Sequence, residues 1–167
     1  MKKNQKGFSL IELLIVVVII GIIAAIAIPN LIAARRAANE GSAQSVSRTL
    51  HSAEVTYQAT KGNGTYGTLQ LLFDNSLVDA TLGSGTANAK SGYKFDVQVV
   101  APVTATQTQA SFNVGASPLV VSGVTATGTR NFCIATDGVM YAYTTATTAS
   151  QTSAAGTCAT TGATVVQ

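Results

Sequence analysis

The distribution of apolar residues sets the beginning of the chain apart from the rest. A predominantly apolar run extends from Phe8 to Ile28, contains one ionisable residue, Glu12, and is closed by Pro29. A helix over this run is about 31 Å long, which is enough to cross a bilayer. A short polar head with three lysines precedes it. The pattern therefore predicts a membrane-spanning helix behind a basic N-terminal head.

Beyond Pro29 the apolar residues become sparser but keep a helical period. Four of them recur at intervals of four, three and four, and therefore share one face of a helix: Val46, Leu50, Ala53 and Tyr57. Small residues fill the stretch before them, and such residues favour helix and let helices approach closely. Lys61-Gly62-Asn63-Gly64 supplies the glycines that end a helix. We predict that the helix continues through residues 31–60 with one apolar stripe.

The polar residues of this second half are expected on the other faces of the helix. Arg35, Arg36, Glu40 and Arg48 should face solvent or a neighbouring copy of the chain. His51 is the only histidine, so no second one is available for a metal cluster or an acid–base pair. We interpret it as part of a polar helix face.

Beyond residue 90 the period changes to two, which is the period of a half-buried strand. Four strands are predicted: Tyr93–Val99, Ala110–Ala116, one that begins with Phe132 and Ile134, and Val139–Tyr143. Asp137-Gly138 marks a hairpin before the last strand.

These elements predict an α+β fold. The apolar face of an antiparallel sheet of about four strands, with Val139, Tyr141 and Tyr143 on it, is expected to pack on the apolar stripe of the helix. Between helix and sheet, residues 69–73 are expected as a short helix or turn, and residues 83–92 as a loop.

The net charge of +3 comes entirely from the head of the chain. Lys2, Lys3 and Lys6 all precede Gly7, and without the first seven residues seven basic residues face seven acidic ones. A neutral remainder offers no electrostatic footprint for nucleic acid. The sequence has no nucleophile-elbow motif, no paired catalytic carboxylates and no phosphate loop. We expect neither an enzyme nor a cofactor nor a metal site.

Both cysteines, Cys133 and Cys158, lie far behind the apolar run. If that run exports the chain, they reach an oxidising space and pair. Two free buried thiols are the alternative. Cys133 alternates with Phe132 and Ile134, so it is expected on the opposite face of its strand. A bridge to Cys158 would tether a Thr- and Ser-rich tail that has little core of its own.

Three interpretations compete for the first thirty residues. The basic head and Ala25-Ile26-Ala27 fit a cleaved signal peptide, but the apolar core of such a peptide is usually only about 7–15 residues long. A plain membrane anchor would keep its lysines in the cytoplasm, a bias that Arg35 and Arg36 weaken. The third interpretation gives Glu12 a function, because a charge near the centre of a membrane helix costs roughly 2.5–3.5 kcal/mol.

The order of residues in this stretch resembles the class III signal of type IV pilins and their relatives. The resemblance rests on the lysine-rich head, Gly7, the run Phe8-Ser9-Leu10-Ile11-Glu12, and the later Gly21 and Pro29. It implies that a prepilin peptidase cuts between Gly7 and Phe8 and that the new amine of Phe8 is methylated. The chain would then consist of a cleaved leader, a membrane and filament-core helix, its amphipathic continuation and a head: residues 1–7, 8–30, 31–60 and 61–167.

In this family the helices of many copies form the core of a helical filament. The resemblance implies that Glu12 neutralises the Phe8 amine of a neighbouring copy and so sets the register while inner-membrane machinery adds subunits. A lone carboxylate in an apolar bundle needs such a partner, because burying an unpaired charge is costly. Gly21 and Pro29 weaken the helix between them and predict a kink or local unwinding, either static or used on the way from membrane to filament.

Several functions remain open at this point. The resemblance implies a type IV pilus subunit, a single-pass inner-membrane precursor that later serves adhesion, twitching motility or DNA uptake on the cell surface. A pseudopilin of a type II secretion system is an alternative, but those often carry a tryptophan in a calcium-binding C-terminal segment, and this chain has none. A minor pilin that acts as a membrane-anchored binding module is another. The spacing of Cys133 and Cys158 also resembles the disulfide-bounded C-terminal loop of many pilins.

Overall fold

The computed structural model of the chain describes residues 7–83, 88–103, 108–144, 146–147 and 156–166. Three helices and six strands are assigned within these ranges: α1 (Leu10–Thr60), α2 (Leu69–Asp74), α3 (Ala80–Gly83), β1 (Ala89–Lys90), β2 (Tyr93–Val100), β3 (Ser111–Pro118), β4 (Asn131–Ala135), β5 (Met140–Tyr143) and β6 (Ala163–Val166). The chain divides into two compact units, Met1–Arg35 and Arg36–Gln167.

The first unit is built around the apolar part of α1, which runs through Pro29 without a break. Pro29 has no N–H to donate to the carbonyl of Ala25. One turn along, Asn30 donates from Nδ2 to the carbonyl of Ile26 over 3.1 Å, which adds a donor beside the proline. The predicted local unwinding between Gly21 and Pro29 is therefore absent from this structure, and a kink or a later stretching there stays a prediction.

The second unit packs the C-terminal half of α1 on one face of the sheet. Val46, Leu50 and Ala53 are buried in this core, and Tyr57 packs against it, as their spacing predicts. The fully buried aromatic residues opposite them come from three strands: Tyr93, Phe95, Phe112 and Phe132. An apolar stripe and an apolar sheet face thus bury each other, and the predicted α+β fold is confirmed.

The sheet has more strands than the sequence predicts. Its six described strands lie in chain order, β1 to β6, and every neighbouring pair is antiparallel. The four predicted strands correspond to β2, β3, β4 and β5. The two additional strands are only two and four residues long, at Ala89–Lys90 and Ala163–Val166. Such short segments carry too little alternation to be recognised from sequence.

The two faces of the sheet are both partly apolar, and this reverses one prediction. Met140 and Ala142 of β5 belong to the core beneath α1, whereas Tyr141 and Tyr143 belong to a smaller cluster on the outer face with Cys133. The expectation that Val139, Tyr141 and Tyr143 face the helix is therefore wrong. The bulkier tyrosines face outward because the C-terminal segment covers them there.

The connections agree with their predicted character in part. Residues 69–73 form the short helix α2, where the Thr68 hydroxyl accepts from the N–H of Leu71 over 3.4 Å. The segment 83–92, predicted as a loop, includes the end of α3 and the short strand β1, while residues 84–87 lie outside the described part. At the predicted hairpin, Gly138 adopts a φ of 74° and donates its N–H to the carbonyl of Ala135.

Candidate functional site

The predicted cleavage site lies just outside the helix. Gly7, Phe8 and Ser9 precede α1, and the first helical hydrogen bond there runs from the N–H of Leu13 to the carbonyl of Ser9 over 3.2 Å. The Phe8 side chain is 78% exposed. A peptide bond in irregular, exposed backbone is open to a peptidase, whereas a helical one must first unwind. The geometry is therefore compatible with cleavage between Gly7 and Phe8, which stays a prediction.

Glu12 lies in the first turn of α1 and is exposed. A carboxylate in this turn is stabilised by the unpaired N–H groups and the dipole of the helix N-terminus. Within the part of the chain that the structure describes, no ion-pair partner is recorded for it. A partner for Glu12 must therefore be sought elsewhere, and the amine of Phe8 in another copy stays the predicted one.

The apolar half of α1 is exposed on every side. All leucine, isoleucine and valine side chains from Leu10 to Leu31 are at least 48% exposed. This helix is also long and apolar enough to cross a membrane, as judged by its length and composition. A surface of this size is unfavourable in water, so it requires lipid or other chains to cover it.

Within the head, Glu40 is buried rather than solvent-facing, which corrects the prediction made for it. Its Oε1 accepts from the backbone N–H of Thr129 over 2.8 Å and from the Thr129 hydroxyl over 2.7 Å. Its Oε2 accepts from Nε and Nη2 of Arg130 over 2.9 and 2.8 Å. Burial alone would raise the pKa of Glu40, but the hydrogen bonds from Thr129 and Arg130 outweigh it and lower the pKa.

Arg36 also has partners within the head instead of facing solvent freely. Its Nη2 donates to the carbonyl of Gly123 over 2.7 Å, and its Nε donates to the carbonyl of Ala126 over 3.2 Å. One turn along α1, Asn39 donates from Nδ2 to the carbonyl of Thr127 over 2.9 Å. These bonds fasten the β3–β4 loop to the helix.

A second buried carboxylate, Glu54, lies two heptads beyond Glu40. It is 0% exposed, and its Oε2 accepts from the N–H of Gly67 over 2.9 Å. Its Oε1 has no hydrogen-bond partner among the described residues. Burial raises the pKa of Glu54 to about 7, and the bond from Gly67 opposes the rise only in part. The same burial and the charge of Glu54 raise the pKa of Tyr66.

His51 lies between helix and sheet and not on a polar face, which is a further correction. Its ring packs on Phe112 with 5.3 Å between the centroids, and Tyr66 packs on Phe112 at 4.5 Å. His51 Nε2 and Ser47 Oγ are buried without a hydrogen-bond partner among the described residues.

The sequence did contain a signal for these buried polar residues. Starting from Glu40, steps of three, four, three and four residues lead through Ala43, Ser47 and Leu50 to Glu54. This is the spacing of one helix face, the same face as the apolar stripe. Reading the carboxylates as solvent-exposed because they are charged overrode the spacing.

The predicted disulfide is present on the outer face of the sheet. Cys133 of β4 is bonded to Cys158, with 5.8 Å between their α-carbons. Cys133 is fully buried there, opposite the core that holds Phe132 and Ile134, as the alternation predicts. The bridge joins the C-terminal segment to the middle of the sheet.

Two buried asparagines attach further parts of the chain to the same face. Asn113 of β3 donates from Nδ2 to the carbonyl of Thr157 over 2.7 Å. Asn131 of β4 accepts from the N–H of Thr147 over 2.9 Å. The Tyr143 hydroxyl donates to the carbonyl of Ala159 over 2.6 Å. These polar residues were not predicted, because their partners are distant in sequence.

The described part of the chain holds no group of three or more His, Cys, Asp or Glu residues that could bind a metal ion. Its buried carboxylates each bind backbone N–H groups of the head, as structural residues do. The features that demand an external partner are the exposed apolar helix and Glu12.

Comparison with known proteins gives matches that are short and consistent. Residues 2–28 match the family model of the prokaryotic N-terminal methylation motif. The chain is 66% identical over 38 residues to the type IV wide pilus major component of Thermus thermophilus, covering 23% of this chain and 29% of that protein. It is 45% identical over 58 residues to the type IV major pilin protein of Myxococcus xanthus, covering 35% and 26%.

A third relative is the type IV major fimbrial protein of Dichelobacter nodosus, at 77% identity over 30 residues, which cover 18% of this chain and 19% of that protein. The chain thus spans less than a third of the length of these curated relatives. No solved structure gives a significant match. By its N-terminal methylation motif, the chain belongs with the type IV pilins.

Proposed function

We propose that the chain is a structural subunit that polymerises through its N-terminal helix into an extracellular type IV pilus. The observation that carries the proposal is the apolar half of α1, whose large side chains from Leu10 to Leu31 are all exposed. A helix that is apolar all round needs a bilayer or a bundle of like helices. The methylation motif over residues 2–28 and the pilin relatives favour both, one after the other.

The order of events follows from this chemistry. The precursor waits in the inner membrane as a single-pass protein, with Lys2, Lys3 and Lys6 on the cytoplasmic side. A prepilin peptidase removes residues 1–7 and the amine of Phe8 is methylated. The helix then exchanges lipid for neighbouring helices as the assembly machinery of the inner membrane adds subunits. Surface functions such as adhesion, twitching motility or DNA uptake would belong to the finished filament.

Glu12 would act at the step at which a subunit joins. Cleavage creates a positive charge at Phe8, four positions before Glu12, in a segment with no other ionisable group up to Ile28. Pairing the carboxylate of one copy with the amine of the next satisfies both charges in only one axial position. Such a pair contributes specificity of register more than bulk stability, as a buried polar residue does in a coiled coil.

The mass of the extracellular subunit tests the proposal. Filaments sheared from cells should yield a chain that begins at Phe8 and carries one extra methyl group. A Gly7→Glu variant should leave the precursor uncut in the membrane, while Gln5→Glu, two residues earlier, serves as its control. A subunit that begins at Ile28, after Ala25-Ile26-Ala27, would mean an ordinary secreted domain and would overturn the proposal.

A further inference from the structure

The loop between β3 and β4 carries an apolar surface that the described part of the chain leaves uncovered. Leu119, Val120, Val121 and Val124 are 47%, 38%, 37% and 73% exposed, and we name them the apolar loop. None of the ten residues after Pro118 is charged. Single exposed apolar side chains are ordinary, but several on one loop indicate an interaction surface.

Hydrogen bonds hold this loop in one conformation while its apolar side chains point away from the head. The N–H of Thr127 donates to the carbonyl of Val120 over 2.8 Å and closes the loop. Arg36 donates to the carbonyls of Gly123 and Ala126 from the side of the helix. Because the backbone is already ordered, a partner that binds here causes little further loss of conformational entropy.

Arg36 also defines where on the head the loop lies. It is the first residue of the second unit, so the loop lies at the end of the head at which the N-terminal helix is joined. The partner must be apolar and uncharged to match the loop. Within this chain, the surface of that chemistry is the exposed apolar helix, Leu10–Leu31. Each further copy of the chain brings another such helix.

We propose that the apolar loop docks on the apolar N-terminal helix of a second copy of this chain. This inference rests on the proposed function and adds to it a contact between the head of one subunit and the helix of another. A bilayer surface is the competing occupant. The fixed backbone of the loop favours a partner of fixed shape, because a fluid lipid surface gains nothing from a rigid loop.

A photoreactive amino acid at position 124 in the full chain tests the contact within assembled filaments. Irradiation should give subunit dimers, and mass spectrometry should place the second end of the link within residues 8–35 of another copy. The same amino acid at position 165 is the control, since Val165 is an exposed valine of β6, 62% exposed. Position 124 should give at least fivefold more of this link.

A charged substitution gives an independent measurement. Val124→Asp should lower the amount of sheared filaments at least tenfold and leave the membrane-inserted subunit at its normal level, while Val165→Asp leaves both unchanged. A link from position 124 to lipid, to a different protein or to the head of another copy would overturn the inference, as would equal filament yields from both variants. Absence of filaments from the unmodified chain would overturn the proposed function instead.

Discussion

The backbone N–H of Gly67 donates to Oε2 of Glu54 over 2.9 Å, and both partners are buried. The bond ties the turn after α1 back to α1 itself. The other carboxylate oxygen of Glu54 has no hydrogen-bond partner among the described residues. Because burial penalises the charged form, the pKa of Glu54 rises to about 7, and its proton is therefore retained at mildly acidic pH.

This relationship predicts a head that is more stable at pH 5 than at pH 8. The folded head holds the proton up to about pH 7, whereas the unfolded chain releases it near 4.5. The stability due to this proton is therefore complete below pH 4.5 and is lost as the pH rises through 7, a change of at most about 3 kcal/mol. Urea unfolding of the full chain in detergent, followed by circular dichroism between pH 5 and 8, measures the free energy of unfolding.

The matched variants separate Glu54 from the rest of the head. Glu54→Gln should abolish most of this pH dependence, because the amide carries no charge at any of these pH values. Asp74→Asn, which changes an exposed carboxylate at the end of α2, should preserve it. An unfolding free energy of Glu54→Gln that still declines as steeply as that of the unmodified chain would refute the role given to Glu54.

The pair formed by Glu40 and Arg130 predicts a loss of stability on substitution. Glu40→Gln keeps the shape of the side chain but removes the charge that three donor groups bind, so the free energy of unfolding should fall by about 1.5–3 kcal/mol. Arg48→Gln is the control on the same helix, because Arg48 is exposed and should change stability by less than about 0.5 kcal/mol. Similar losses from both variants would show that the pair has no special weight.

The disulfide predicts the behaviour of the C-terminal segment. A chain with both Cys133→Ser and Cys158→Ser loses a link that closes a loop of 25 residues, which corresponds to roughly 3–4 kcal/mol in the entropic model. Limited proteolysis should then cut between residues 144 and 166 before any other part of the head. Reduction should reproduce this pattern in the unmodified chain and leave the double variant unaffected. Full protease resistance of the double variant would contradict the tethering role.

Glu12 predicts an assembly defect without a folding defect. Glu12→Gln removes the charge that would pair with the amine of Phe8, so sheared filaments should fall at least about tenfold, equivalent to ~1.4 kcal/mol. The amount of subunit in the inner membrane should not change, since the neutral helix inserts at least as well. Ser9→Ala, on the same exposed turn, should assemble normally. Normal filaments from Glu12→Gln would remove the register role.

The parts of the fold that sequence predicts are those specified by local periodicity. The long helix, the stripe through Leu50 and the strands around Phe95 and Phe112 all carry a repeated pattern. The methylation motif is equally local, since it lies within residues 2–28.

The parts that escape prediction depend on contacts between distant residues. Glu40 is buried because Thr129 and Arg130, 89 and 90 positions away, supply its hydrogen bonds. The outward direction of Tyr143 depends on the covering segment at Ala159, and no pattern within β5 records it. Spacing along one element specifies a face, but it cannot specify what covers that face.

The manner in which the C-terminal segment is attached has a consequence for variation among filaments. Asn113 and Tyr143 both donate to main-chain carbonyls, those of Thr157 and Ala159, and the remaining link is the disulfide. None of these attachments reads the side chain at position 157 or 159. Apart from Cys158, the segment is therefore free to change its side chains under immune or phage selection while its path over the sheet is preserved.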